Sequence, residues 1–107
     1  MPVTFSAQAD LLVAYLSGEV DHHAAASIRE AVDEMAESTR PKELILDFEK
    51  VPFMDSSGIA VVINSVRRMR EIGGKLKLQN IPPQPMKVLK AAGIEKITPI
   101  HERSESR

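Results

Sequence analysis

The chain has 107 residues, a formal net charge of -1 and no cysteine. This length suits one domain with a single core, and the 43% hydrophobic content is typical of a globular protein. The near-neutral charge argues against a surface that binds nucleic acid. The absence of cysteine excludes disulfides and thiolate chemistry. No apolar run is long enough to span a membrane, and a cytoplasmic location is expected.

The first half of the chain alternates strand-like and helix-like patterns. Residues 3–7 alternate apolar and polar side chains as an edge strand does, and residues 11–16 predict a second strand in an antiparallel hairpin. Asp21 can cap a helix that runs to about Glu37. Its predicted inward stripe is Ala25, Ile28, Val32 and Met35. Residues 44–48 are almost continuously apolar, as central strands are.

The second half continues the alternation. A helix is predicted from about Ser57 to Ile72, where Gly73 and Gly74 end it. Its apolar face at helical spacing consists of Ile59, Val62, Ile63 and Val66. Residues 75–81 alternate as a strand, and Pro85 can open a third helix. The inward residues of that helix are predicted to be Met86, Leu89 and Ala92.

The last element is predicted to be a short edge strand near Ile97, before a polar, frayed tail over residues 101–107. The order β-β-α-β-α-β-α-β predicts an α/β fold, a mixed sheet with helices packed on it. We assign residues 1–100 to one domain. We expect a monomer that needs no metal and no other cofactor.

Residues 54–58, Met-Asp-Ser-Ser-Gly, lie between a predicted strand and the second helix. Unpaired N–H groups and the positive end of the dipole at a helix start favour an anion, and a phosphate on a serine would suit this place. Aspartate, serine and glycine also begin helices with no further role, so the motif alone leaves simple capping open. The loop at residues 18–23 should lie at the same edge of the sheet, where partners tend to bind.

Catalytic and metal sites are weaker interpretations. A nucleophilic serine needs a base, and the glycine that precedes a hydrolase nucleophile by two positions is absent. Asp21-His22-His23 resembles the Asp-His-His motif of a phosphoesterase family that binds manganese, but that site needs further histidines and aspartates. The only other histidine is His101, so a capping aspartate is the preferred interpretation. The arginines at 67, 68 and 70 suit the negative end of the helix dipole without any ligand.

Several motifs together resemble a known family. The residues from Phe53 to Ile59, followed by Ile72-Gly73-Gly74-Lys75, resemble the signature of anti-sigma factor antagonists of the STAS-domain family. Gly18-Glu19-Val20-Asp21-His22-His23 is similar to the sporulation-type members, and Ala92-Gly93-Ile94 resembles the family's last turn. The resemblance covers about residues 3–100. Family members usually carry a further C-terminal helix, which is short or missing here.

This resemblance implies a regulatory binding protein and not an enzyme. Its unphosphorylated form would bind an anti-sigma factor that is also a serine kinase, and so release a sigma factor. Phosphorylation of the first serine of the motif, Ser56, would abolish binding, and a serine phosphatase would reset it. Ala60 and Val61 lie off the predicted inward stripe, so they could join a docking patch. The predicted partner-binding residues are Asp21, Met54, Asp55, Ser56, Ser57, Gly58 and Val61.

Two other functions remain open. One is a STAS module that senses a small ligand or a nucleotide. The other is a small enzyme that uses Ser56 or Ser57 as its nucleophile.

Overall fold

A computed structural model describes residues 2–103. Its core element is a five-stranded sheet in the order β1-β2-β3-β4-β5, in which β1 is antiparallel to β2 and the other neighbours are parallel. The elements are β1 (Val3–Gln8), β2 (Leu11–Ser17), α1 (His22–Thr39), β3 (Glu43–Lys50), α2 (Ser57–Glu71), β4 (Lys75–Ile81), α3 (Pro83–Ala91) and β5 (Ile100–Glu102), with a 3-10 turn at Ile94–Lys96. The predicted order of strands and helices is confirmed.

One face of the sheet carries the main core. Alternate residues of the strands, such as Leu12, Leu44 and Leu78, are fully buried and join one apolar cluster with the inner faces of the helices. Val13 and Ile45 point to the opposite face because side chains alternate along a strand, and they lie outside that cluster. The helices pack on the first face, where this cluster lies.

Helices α1 and α2 pack side by side and are joined by polar contacts. Asn64 Nδ2 and Arg68 Nε of α2 donate hydrogen bonds to Asp33 Oδ1 of α1, at 3.0 and 3.2 Å. The hydrogen bond from Arg68 to the Asp33 carboxylate raises the pKa of this guanidinium. Arg68 also forms an ion pair at 3.3 Å with Glu71 of its own helix, so its contact with Asp33 is the one that joins α2 to α1.

The C-terminal part differs from the sequence-based prediction. The strand predicted near Ile97 begins three residues later, at Ile100, because Gly93 ends α3 in the left-handed region (φ 73°) and the chain then enters the 3-10 turn. Ile97 follows that turn and is 42% exposed. Thr98 is buried instead and donates its hydroxyl to the Leu76 carbonyl at 2.7 Å.

Two further boundaries move. Helix α3 runs from Pro83 to Ala91 with Pro85 in its first turn, and Ala92, predicted to face inward, follows the helix and is exposed. His101, predicted to start a frayed tail, belongs to β5. The predictions of a frayed end and of a short or missing C-terminal helix otherwise concern residues 104–107, which lie outside the described residues. Between residues 2 and 103, no helix is long and apolar enough to cross a membrane.

Candidate functional site

Two loops are joined at the carboxyl ends of β2 and β3. Val20 and Met54 form a parallel bridge outside the named strands. The N–H of Val20 donates to the Phe53 carbonyl at 3.0 Å, and the N–H of Asp55 donates to the Val20 carbonyl at 3.3 Å. The prediction that residues 18–23 and 54–58 lie at one edge of the sheet is confirmed. We call this edge the switch rim.

The start of α2 is capped by Asp55. Its Oδ1 accepts a hydrogen bond from the Ser57 N–H at 2.8 Å, and its carbonyl accepts one from the Gly58 N–H at 3.0 Å. Ser56 occupies the N-cap position with φ -64° and ψ -15°, but its side chain makes no capping hydrogen bond. Ser56 is exposed and Ser57 is half-buried. The hydroxyl of Ser56 therefore faces solvent without a role in the cap.

Met54 anchors the switch rim in the core. Its side chain is 0% exposed, so in the free protein it supports the rim from within, and its part in partner binding stays a prediction. Gly58 is buried and packs closely against it. A Cβ at this position would overlap Met54 Cγ and Sδ. A larger residue at this position would force the Met54 side chain to shift, and glycine allows the close packing. Both residues shape the rim from beneath.

Gln84 of α3 holds the backbone of the same loop. Its Oε1 accepts a hydrogen bond from the Met54 N–H at 2.9 Å, and its Nε2 donates to the Met54 carbonyl at 3.1 Å. This side chain therefore satisfies both backbone groups of a buried residue, as such groups require. Sequence reasoning missed Gln84, since nothing in the sequence distinguishes a glutamine thirty residues away as a partner of Met54.

Asp21 caps the other helix of the rim. Its Oδ1 accepts a hydrogen bond from the Ala24 N–H at 2.9 Å, so the capping interpretation is confirmed. His22 and His23 follow in the first turn and are exposed. Within residues 2–103, no group of three or more histidines, cysteines, aspartates or glutamates could hold a metal ion.

The accessible apolar side chains near Ser56 are not those predicted. Val61 is 1% exposed, because this side of α2 packs inward, so its predicted place in an exposed docking patch is wrong. Ile63, predicted to face inward, is 37% exposed. Ala60 is exposed as predicted, and Phe53, just before the rim, is 44% exposed. Phe53, Ala60 and Ile63 are therefore the apolar residues that a partner could reach.

The comparisons with known proteins agree with this geometry. A family model for the STAS domain matches residues 3–106. The chain belongs to the STAS domain family. It is 30% identical over 92 residues to an anti-sigma F factor antagonist of Paenibacillus polymyxa. The aligned residues make up 86% of this chain and 79% of that protein. An anti-sigma-B factor antagonist of Bacillus subtilis is 29% identical over 90 residues, 84% of this chain and 81% of that protein.

Solved structures of family members share the fold. The anti-sigma factor antagonist SpoIIAA in its unphosphorylated form has a TM-score of 0.80 and 28% identity, with 92% of this chain and 86% of that chain covered. The phosphorylated form of the Bacillus cell fate determinant SpoIIAA has a TM-score of 0.70 and 29% identity, with 92% and 89% covered. The predicted STAS fold is thus confirmed.

Proposed function

We propose that this STAS domain is an anti-sigma factor antagonist controlled by phosphorylation of Ser56. The observation that carries the proposal is the free, exposed hydroxyl of Ser56 at the start of α2, on a rim held in place by its neighbours. The unphosphorylated form binds an anti-sigma factor serine kinase in the cytoplasm and so releases a sigma factor. A serine phosphatase reverses the modification. The similarity to anti-sigma F and anti-sigma-B factor antagonists supports this assignment.

Ser56 suits reversible modification because its reaction need not disturb the fold. Asp55 supplies the cap of α2, so a phosphate on Ser56 replaces no internal hydrogen bond. The positive end of α2 favours the added charge of about -1.5 to -2, whereas the adjacent carboxylate of Asp55 opposes it. These two effects act in opposite directions in the free protein, and we expect its stability to change little.

The same phosphate would act strongly in a complex. Docking on the switch rim would take Ser56 and its surroundings out of water, and burying an uncompensated charge is costly. Carboxylates at the partner's phosphotransfer site would add repulsion. A loss of about 1.4 kcal/mol already lowers affinity tenfold. Binding can therefore be switched off without a conformational change.

The proposed docking residues differ in their exposure. Asp21 and Ser56 are exposed, and Asp55 and Ser57 are half-buried, so all four are open to direct contact. Phe53, Ala60 and Ile63 extend this surface with apolar side chains. Met54, Gly58 and Val61 lie beneath this surface.

The arginines at 67, 68 and 70 occupy the last turns of α2, far from Ser56.

We favour binding over catalysis at these serines. Among residues 2–103, no histidine or carboxylate side chain accepts a hydrogen bond from the hydroxyl of Ser56 or Ser57. Nucleophilic serines are activated by such a base. The hydrogen bond of Asp55 to this segment goes to the backbone N–H of Ser57 and serves the cap.

Small-ligand sensing is a second candidate, favoured by one cavity. A cavity of about 540 Å³ lies beside Tyr15, Asp47 and Asn80, away from the switch rim serines. The buried Asp47 carboxylate there accepts hydrogen bonds from Gln79 Nε2 and Asn80 Nδ2, both at 2.8 Å. Native mass spectrometry of the purified protein tests this function. A stoichiometric bound small molecule would support it, and unliganded protein of the sequence mass would oppose it.

The proposed switch is tested by incubating the protein with ATP and the anti-sigma factor kinase of its source organism. We expect one phosphate on Ser56, located by peptide mass spectrometry, and none in Ser56→Ala. Ser57→Ala is the matched control and should still accept phosphate. Titration calorimetry should show that the kinase binds the unmodified protein and not the phosphorylated one. Phosphate on another residue would refute the assignment of Ser56.

A further inference from the structure

The outer edge of β1 is an unpaired strand edge. Within residues 2–103, the hydrogen bonds of this strand all go to β2, its only neighbour in the sheet. Thr4 and the residues from Ser6 to Gln8 are exposed. The side of β1 that faces away from β2 therefore offers free backbone N–H and C=O groups to another strand.

The hairpin geometry shows which groups point outward. In an antiparallel pair, residues that bond to the partner strand alternate with residues whose backbone groups face away. The Pro2 carbonyl accepts a hydrogen bond from the Ser17 N–H at 2.9 Å, and the turn at Ala9 and Asp10 closes on the pair Gln8–Leu11. Even-numbered residues of β1 thus bond to β2. The outward groups belong to Val3, Phe5 and Ala7.

The two edges of the sheet are protected very differently. Strand β5 has three residues, follows Pro99 and carries His101 and Glu102, which are features that discourage pairing. Strand β1 has six residues, and no charged residue or proline lies between residues 3 and 9. The edge at β1 is therefore the one suited to strand addition.

We propose that β1 pairs antiparallel with β1 of a second copy of this chain. The register places Phe5 opposite the partner's Phe5, and Val3 opposite the partner's Ala7. In this register the outward N–H and C=O groups of the two strands face one another. The side chains of all these residues lie on the helix-bearing face, so the apolar sides of the two strands match. A shift by one residue would lose both matches.

A second copy supplies a strand with the same alternation of apolar and polar side chains and the same outward backbone groups, so it matches this edge along its length. In this pairing a two-fold axis through the Phe5 pair relates the two strands, and each strand makes the same contacts as the other. After pairing, both outer edges of the joined sheet are β5 edges, and assembly stops at the dimer. The two switch rims then point in opposite directions, because the paired strands are antiparallel. Each rim stays open to its own partner, and this inference differs from the monomer expected from sequence.

Sedimentation velocity of the 107-residue chain tests the proposal. We expect the mass to rise from 11.8 kDa towards twice that value over protein concentrations of about 1 µM to 1 mM, the range of a small interface. Ala7→Pro removes an outward N–H without removing a bond to β2, and edge strands tolerate such a proline. It should weaken dimerisation at least about tenfold. Ala7→Thr, the matched control, keeps the N–H and should dimerise normally.

Amide hydrogen exchange supplies a readout specific to the register. The N–H groups of Phe5 and Ala7 should gain protection as concentration rises, while those of Thr4 and Ser6, bonded to β2, should be protected throughout. The same protection in Ala7→Thr, with a thermal melt of Ala7→Pro close to wild type, would complete the support. A chain that stays monomeric at 1 mM, or a dimer unaffected by Ala7→Pro, would overturn the proposal.

Discussion

Helices α1 and α2 begin at the same edge of the sheet, and both use an aspartate to cap the first turn, but at different positions. Asp21 is the N-cap of α1, and its carboxylate accepts from the N–H of Ala24. Asp55 precedes the N-cap of α2, and its carboxylate accepts from the N–H of Ser57. The shift by one residue leaves the N-cap Ser56 with a free hydroxyl. A capping device can thus expose a serine for modification.

The two helix starts also differ in how they are fixed. The second residue of α1, His23, is exposed, whereas the second residue of α2, Gly58, is buried against Met54. Gln84 additionally holds the backbone of Met54. The loop that presents Ser56 is therefore held by α3 as well, whereas the loop before α1 is held by its cap and by the bridge from Val20 to Met54. In the proposed switch Ser56 meets a kinase, which is also the binding partner, and a phosphatase, and a rigid base suits a residue with these contacts.

Gly58→Ala should have the largest effect on stability. The new Cβ overlaps Met54, and overpacking of this kind destabilises a protein by about 1–3 kcal/mol. The higher helix propensity of alanine offsets up to about 1 kcal/mol of this loss. We expect the free energy of unfolding to fall by about 1–2 kcal/mol in urea denaturation. His23→Ala is the matched control in α1 and should change it by less than about 0.5 kcal/mol. Equal stabilities would show that α2 is no more firmly anchored than α1.

Ser56→Asp should weaken binding to the anti-sigma factor kinase at least about tenfold, or 1.4 kcal/mol. The carboxylate carries one charge into the proposed interface, whereas in the free protein the dipole of α2 favours it by about 0.3–1 kcal/mol. Calorimetry and a thermal melt of the same sample measure both quantities. Ser38→Asp adds the same charge near the far end of α1 and should bind normally.

The outcomes for Ser56→Asp are distinct. Undiminished affinity would place position 56 outside the interface. Lost affinity together with a collapsed melting temperature would assign Ser56 a structural role and remove the main support for the switch.

Asp21→Ala and Asp55→Ala should each lower the free energy of unfolding by about 0.5–2 kcal/mol, because each removes one helix cap. The double variant Asp55→Ala with Ser56→Ala sharpens the comparison of the two helices. If Ser56 takes no part in capping, the double variant is as stable as Asp55→Ala alone. Greater destabilisation, measured by urea denaturation, would show that Ser56 replaces the missing cap.

Ser56→Ala should have the smallest effect. Because its hydroxyl makes no capping hydrogen bond, we expect a change in the free energy of unfolding within about 0.5 kcal/mol. A serine that caps would instead cost about 0.5–2 kcal/mol on the same change. Urea denaturation separates the two values. A loss in the second range would contradict the assignment of the cap to Asp55.

Local patterns predicted the order of elements along the chain and most of their positions, because these depend on neighbouring residues. The antiparallel hairpin, the Asp21 cap and the left-handed Gly73 (φ 79°) all follow from short-range sequence. The predicted position of β5 was wrong because the apolar residues Ile94 and Ile97 begin and follow a 3-10 turn. Apolar spacing alone does not distinguish such a turn from a short strand.

The face of α2 was misjudged for a different reason. Its buried residues are Gly58, Val61, Val62, Ser65, Val66 and Met69. Gly58 and Ser65 are small or polar and carry no apolar signal, yet Ser65 donates its hydroxyl to the Val61 carbonyl at 2.9 Å and can be buried. The predicted stripe was therefore rotated towards Ile59 and Ile63. Small residues let neighbouring elements approach closely, and only the packed structure reveals this.

The sequence by itself determined the family, the order of elements and the exposed candidate Ser56, because periodicity, caps and a contiguous motif are local properties. Tertiary structure alone decided that Met54 and Val61 are buried, that Gln84 holds the loop, and that Val20 bridges to Met54. These features join residues far apart in the chain. Their energies depend on which surfaces the fold brings into contact, and no single segment of sequence records that choice.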